Sequence, residues 1–384
     1  MKSQLKVIAL LFLKLGTVAF GGPAAHIAMM EDEVVKRRGW ITHEQFLDLL
    51  GATNLIPGPN STEMAIHIGY VRAGWRGLIV AGACFILPAV AITLLLAHLY
   101  VTYGTMPQVG PFILGIRSAM IAVILAAVYR LSKPMMKNPF MVLIGLAVMG
   151  LNILHADEVV LLLGAGVLGI IWENRHRLRG AVSSFFVLAA TSSVPLAQVS
   201  TSIAVGAGGA TLTGLGLFFL KVGSVLYGSG YVLVAFLQGG LVDARHWLTQ
   251  TQLLDAIAIG QFTPGPVLSA ATFIGYVILG FPGAAVATTA IFLPSFIFVL
   301  IVNPLIPRLR KSLLMRGFLD GVNAASLGLM MAVSVSLALS TLTGFAPWGI
   351  FVLALIVVVV WNLNAAWIVA ASALLSWLSS LLRV

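Results

Sequence analysis

What most constrains this chain is that it is written twice. The stretch "NLIPGPN" at Asn54–Asn60 returns as "QFTPGPV" at Gln261–Val267, with Pro57 and Pro264 standing 207 residues apart. The same offset pairs Phe12-Leu13-Lys14 with Phe219-Leu220-Lys221, Gly16 with Gly223, and Gly21 with Gly228. It also pairs Arg38 with Arg245, Trp40 with Trp247, Thr42 with Thr249, Gln45 with Gln252 and Asp48 with Asp255. After the Pro-Gly-Pro the offset becomes 206 and pairs Gly69-Tyr70 with Gly275-Tyr276, Gly74 with Gly280, Gly77 with Gly283 and Pro88 with Pro294. Matches this dense, in rare residue types, are not compositional chance. Two homologous halves, 1–180 and 210–384, are expected, joined by a linker at 181–209.

The solvent of both halves is lipid. The chain of 384 residues is 60% apolar and 9% charged, too little charge for a soluble protein of this size. Runs such as Leu78–Leu99, Phe112–Tyr129, Met141–Leu154 and Ile350–Trp361 approach or reach the length that crosses a bilayer. The expected class is therefore an all-α, polytopic membrane protein. Met1-Lys2-Ser3 leads into an apolar run with no small-residue cleavage site, so the first segment is expected to stay. The lone Cys84 excludes an internal disulfide and a cysteine metal cluster. The net charge of +10 fits Lys and Arg holding loops in the cytoplasm rather than a nucleic-acid partner, for which no basic-aromatic patch exists. With no HExxH, clustered metal motif or Walker sequence, no metal, ATP or other cofactor is expected.

Loop charge sets the two halves in opposite orientations. The helix near 77–102 begins beside Arg72 and Arg76 and ends in the segment Val101–Pro111, which has no Lys or Arg. Its counterpart near 283–304 begins in uncharged sequence and ends at Arg308, Arg310, Lys311 and Arg316. The next pair reverses again: one helix ends near Arg130, Lys133 and Lys137, its partner in uncharged Thr341–Pro347. Basic residues mark the cytoplasm, so inverted repeats in the inner (cytoplasmic) membrane are expected. The flip needs one further crossing, for which the apolar run Ala181–Ala204 is the candidate. Inverted repeats are characteristic of alternating-access carriers.

Proline disfavours helix in the residue before it and starts a helix well. Each Pro-Gly-Pro therefore reads as the end of one helix and the start of another, at Pro59 or Asn60 and at Pro266 or Val267. The segments that follow, to Tyr70 and Tyr276, are about ten residues, half of the roughly twenty of a full span. Such half-helices at membrane depth must lie in protein or along a wet cavity. Their N-termini would present unpaired N–H groups and partial positive charge, which suits an anion. A second pair of breaks, Gly21-Gly22-Pro23 and Gly228-Ser229-Gly230, recurs at matched distances. The expected pocket thus takes in Gly21, Gly22, Pro23, Asn54, Pro57, Gly58, Pro59 and Asn60, with Gly228, Ser229, Gly230, Gln261, Pro264, Gly265 and Pro266. In it, Gly58 and Gly265 let the anion come close.

Ionisable groups inside a membrane are usually functional. Lys14 and Lys221, matched in both halves, are expected to face the cavity as cations; the bland alternative is snorkelling. Arg117 and its counterpart Asn323 can both donate to an oxyanion. Glu63 is a candidate coupling group, but Asn60-Ser-Thr-Glu63 has capping-box spacing, and capping is the preferred reading. Asp320 is a second coupling candidate or an ion-pair partner. Asp48 and Asp255 are read as structural, as caps or as partners of Arg38 and Arg245. His26 and His67 are read as polar lining residues.

With these residues in view, the chain resembles the chromate ion transporter (CHR) family in its long, two-domain form. The carrying motifs are "FGGPAAH", "DEVVKRRGW", "LIPGPNSTEMAIHIGYVRAGW", "GQFTPGPVLSAATFIGY" and "FLPSF". The resemblance implies export of chromate with chromate resistance as the outcome, and sulfate as a chemical look-alike. The chain departs from the family pattern at "YGSGY" and at Gln238-Gly239-Gly240, where an acidic residue is expected. Sulfate uptake or exchange and an anion channel stay open as alternatives. An intramembrane enzyme would need a nucleophile, acid-base pair or metal cluster, and none is repeated. The sequence leaves the coupling ion and oligomeric state open; a homodimer is compatible with it.

Overall fold

Gly74 and Gly280 give each half its shape. At Ala73-Gly74 and Leu279-Gly280 the chain leaves helical geometry, the glycines taking φ/ψ of 61/−153° and 65/−152°, a region that side chains disfavour. A short helical arm there turns back on a long one. A Cβ on Gly69 or Gly77 would strike the other's carbonyl, and Gly275 and Gly283 repeat the same contact, as small residues allow where membrane helices meet backbone to backbone. The short arms run two residues past the expected Tyr70 and Tyr276.

The computed structural model describes residues 2–19, 22–104, 106, 109–175, 209–227, 230–303, 313–361, 363 and 365–381; the expected crossing at 181–209 lies outside them but for its last residue. Among these residues there are fourteen helices and no strand. The first half holds α1 (Lys2–Val18), α2 (Gly22–Glu31, running into a π-helical turn at Asp32–Arg37) and α3 (His43–Thr53). It continues with the hairpin α4 (Asn60–Tyr103), then α5 (Gly110–Met135), α6 (Pro139–Ile153) and α7 (Glu158–Glu173). The second half holds α8 (Leu212–Val225), α9 (Leu233–Leu237, flanked by turns at Gly230–Val232 and Gln238–Asp243) and α10 (Gln250–Phe262). A turn at Val267–Ser269 leads into the hairpin α11 (Ala270–Val302), followed by α12 (Leu313–Thr341), α13 (Phe345–Trp361) and α14 (Ala365–Leu381).

The duplication extends to single bonds. Thr42 with Gln45 and Thr249 with Gln252 each close a capping box. Arg38 lies over Trp40 and Arg245 over Trp247. Helix α1 packs along α4 as α8 packs along α11, and the two hairpins pack together. Beyond them the halves exchange partners: α5 packs on α13 and α14, and α12 packs on α6 and α7. Gly115 touches Ser372 and Gly321 touches Ala165 in matching contacts between these bundles. The core is consequently shared, with Met120 and Ile124 in one cluster with Met330 and Val333.

Among the described residues, four helices are long and apolar enough to cross a membrane: Asn60–Tyr103, Gly110–Lys133, Val267–Val302 and Leu314–Thr341. The pairs α6/α7 and α13/α14 are shorter, at 15 to 17 residues. Their exposed faces carry Leu143, Leu146, Val359 and Val360, an arrangement fit for lipid. Trp361 and Trp367 are exposed where α13 gives way to α14, a position typical of the lipid–water boundary. The protein is a multi-pass membrane protein.

Candidate functional site

Proline places the helix ends. Helix α3 stops at Thr53, and α4 starts at Asn60 behind an extended Pro59 (φ −82°, ψ 101°). In the second half α10 stops at Phe262, and Pro266 (φ −70°, ψ 130°) precedes the turn at Val267. Both starts open onto one cavity of about 1050 Å³. The other pair of breaks reaches the same space, through Gly22 and Pro23 at the head of α2 and through Gly230. Helix starts from two halves thus converge, and the first N–H groups of α2 and α4 have no acceptor within their own helix.

Of the expected site residues, Gly22, Pro23, Asn54, Pro59, Asn60, Gly230, Gln261 and Asn323 line this cavity, as do Asp320 and His26. Asn60 Nδ2 donates to Asn54 Oδ1 at 2.7 Å, tying the two helix ends across the Pro-Gly-Pro. His26 Nε2 contacts the Ala19 carbonyl at 3.0 Å. Gly21, Gly228 and Ser229 lie outside the described residues.

Pro57, Gly58, Pro264, Gly265 and Pro266 are not on the wall. The glycine N–H groups are committed elsewhere: Gly58 donates to the Leu226 carbonyl at 2.7 Å and Gly265 to the Ala19 carbonyl at 3.0 Å. Each Pro-Gly-Pro therefore hooks its own half to the strand of chain just before the other half's glycine break. The close approach that requires glycine is to protein, since a Cβ on Gly58 would run into Glu63 Oε1 and Ser295 Oγ.

The expected cations are not in the cavity either. Lys14 pairs with Glu33 at 2.8 Å, its side chain 55% exposed. The Lys14 ammonium, with Arg38 behind it, holds the Glu33 carboxyl below the usual carboxylate range. In the second half Gly240 stands at the place of Glu33, so Lys221 turns to Asp157 at 3.6 Å. The neighbouring Gly239 leaves the room that the Glu158 carboxylate fills. The acid missing from Gln238-Gly239-Gly240 is thus supplied by the start of α7.

Arg117 is held by Asp255 through two bonds, Nε to Oδ1 at 2.8 Å and a guanidinium NH₂ to Oδ2 at 2.7 Å. The Tyr100 hydroxyl donates to the same carboxylate at 2.7 Å. This corrects the pairing of Asp255 with Arg245, which donates instead to the Gly240 carbonyl. The capping box at Glu63 is corrected too: Pro59 is the N-cap and has no side-chain acceptor. The Glu63 carboxyl is fully buried beside Ser295, off the cavity. His67 is also buried and off the wall.

Sequence reasoning missed Arg130. It lines the cavity and donates to the Val358 carbonyl at 2.9 Å. It had been read only as a marker of loop charge, although it stands one turn before Lys133, within the apolar helix. Asn138, Ser61 and Ser326 add further polar groups to the wall.

The sequence matches the family model described as "Chromate transporter" twice, over residues 7–170 and 213–377. It is 34% identical to the chromate transport protein of Cupriavidus metallidurans, over 87% of this chain and 82% of that one. It is 31% identical to the chromate transport protein of Pseudomonas aeruginosa, over 96% of this chain and 90% of that one. It is 30% identical to the probable chromate transport protein of Synechococcus elongatus, over 92% and 89%. No solved structure matches. Two family matches, one on each of two interlocked halves that share a cavity, lead to one conclusion: the chain belongs to the chromate transporter family.

Proposed function

We propose that the protein carries chromate outward across the cytoplasmic membrane by alternating access, and so confers chromate resistance. The observation that carries this reading is the cavity where helix starts from both halves meet. Among its described lining residues Arg130 is the one Lys or Arg. A tetrahedral dianion needs donors aimed from several sides and some positive charge. The helix starts supply partial charge and Arg130 supplies a full one. A carrier must also release its cargo, and partial charges suit that. The relatives' chromate transport supports chromate as cargo; sulfate, alike in shape and charge, would compete. In this reading 1–180 and 210–384 are the two inverted repeats, and 181–209 carries the extra crossing between them.

Arg130 and Asn138 lie at the end of α5 that bears Lys133 and Lys137. By the charge rule that end is cytoplasmic, so the cavity opens inward. Arg117 is thirteen residues earlier on α5, roughly 20 Å along the axis. Its pair with Asp255 joins the halves on the far side.

The test is chromate and sulfate flux in proteoliposomes. Saturable flux with counterflow is expected, and Arg130→Gln should weaken apparent affinity by ~10- to 100-fold, the worth of one charge-assisted contact. Folded protein that moves no chromate beyond protein-free liposomes would sink the reading.

A further inference from the structure

Among the described residues, no cation lies against the Glu63 carboxyl. It is 0% exposed, and its Oε2 has no hydrogen-bond partner. Its one bond is the Ser295 hydroxyl, reaching Oε1 at 3.5 Å. The titratable groups near it are Tyr227, from the other half, and His67, one turn on along its own helix. An ionised carboxylate so placed would cost several kcal/mol. A neutral acid would not, and its hydroxyl proton could bond locally.

The position matters more than the burial. Glu63 lies against Gly58, whose N–H is bonded to Leu226 of the second half. Ser295 and Tyr227 also belong to the second half. Two groups that define this environment, Ser295 and Tyr227, therefore come from the other half, and they and the Gly58–Leu226 bond must change if the halves move apart. A group whose charged form is excluded in one arrangement and hydrated in another binds its proton with different strength in the two. By linkage, proton binding and the arrangement of the halves then bias each other.

A second ionisable group lies on the same helix face. His67 lies about 6 Å further along the short arm, is 0% exposed, and leaves both ring nitrogens without a well-formed hydrogen bond. It faces the Asn303 side chain, at the end of α11 that leads to the basic segment of the second half. The second half has Ser269 or Ala270 where Glu63 would repeat, so the acid is present once.

We propose that Glu63 is a proton-binding site, separate from the substrate cavity, that loads and unloads as the halves rearrange and so couples anion movement to a proton. This rests on the carrier reading above.

Glu63→Gln tests it, since the amide mimics the neutral acid in shape and should fold. In proteoliposomes the wild-type protein should accumulate chromate under an imposed pH gradient and should exchange labelled for unlabelled chromate without one. The variant should keep exchange within about twofold and lose gradient-driven accumulation. Accumulation equal to wild type would overturn the proposal. So would loss of exchange and accumulation together at normal Tm and abundance, which would make Glu63 a structural group or part of cargo binding. Absence of exchange in the wild type would instead defeat the carrier reading itself.

Discussion

If the Arg117–Asp255 pair closes the outer side, removing Arg117 should turn the cavity around. The pair is well placed to matter: its side chains are 22% and 4% exposed, and it joins α5 of one half to α10 of the other. Arg117→Met would leave the Asp255 carboxylate buried with only the Tyr100 hydroxyl. Stranding one partner of such a pair costs ~3–5 kcal/mol. If the pair opens when the outer side opens, that whole cost falls on the inward-facing arrangement. At ~1.4 kcal/mol per tenfold, the ratio of the two arrangements shifts by at least about a hundredfold. Arg117→Met/Asp255→Asn should shift it far less, because no charge is stranded and Tyr100 keeps an amide acceptor. The reporter is Ala127→Cys, on the cavity wall, in a Cys84→Ala background. An impermeant thiol reagent should modify it from the cytoplasmic side in the parent. In Arg117→Met that rate should fall tenfold or more while modification from the opposite side rises, with the double variant between. If sidedness stays as in the parent while Tm drops, the pair holds the fold together and closes nothing.

Two further outcomes follow from single contacts. Gly58→Ala, at φ 145° and with its Cβ directed into Glu63 and Ser295, should lose ~1–3 kcal/mol of stability, the usual scale of overpacking. Gly265→Ala, whose nearest contact would be Ala89 Cβ at 3.0 Å, should be milder, and Gly164→Ala, in open space, should be neutral; equal Tm values in detergent for all three would refute the hook. Glu33, held below its ordinary value of 4.5 by Lys14 first and then Arg38, contributes stability that is complete above that value and is lost as pH falls through its lowered folded value. The Tm gap between the parent and Glu33→Gln should therefore be widest near neutrality and should close in acid below pH 4.5; a gap that widens there would contradict the assignment.

The scaffold was legible in the sequence because proline and glycine act on the backbone locally. Pro59 and Pro266 each mark the end of one helix and the start of the next, whereas the repeat matched Gly74 with Gly280 without revealing the reversal that their positive φ permits. Asn54, Asn60, Gln261 and Asn323 could be placed on the cavity because they flank such breaks or match across the halves. The charges were not legible, because a partner distant in sequence decides what each one does. Lys14 and Lys221 repeat, which suggested a shared cavity, yet each finds its own carboxylate, from different helices. Arg117 looked free until a carboxylate 138 residues away met it. Arg130 looked like a boundary marker until the fold put the cavity beside it.

The repeat and its exceptions divide the work. Alongside the matched Lys14/Lys221, Arg38/Arg245 and Asp48/Asp255, much of what recurs is uncharged: the glycine hairpins, the prolines that start helices, the two Gly N–H hooks, the threonine capping boxes. An inverted pair built from these alone would have two arrangements of nearly equal energy, each the other's mirror in the membrane, which is what alternating access needs. What fails to recur includes four ionisable positions. Arg117 answers to Asn323, Glu33 to Gly240, Glu63 to Ser269 or Ala270, and Arg130, by the same offset, to Ser336. Each exception alters the energy of one arrangement without a matching change in the other. In the carrier reading, symmetric contacts set how easily the halves exchange, while these unmatched charges decide which side opens by default, where the anion finds its cation, and whether a proton weighs on the balance. Restoring symmetry at one such position, for example with Arg117→Asn, is therefore expected to move the conformational equilibrium more than the barrier between its ends.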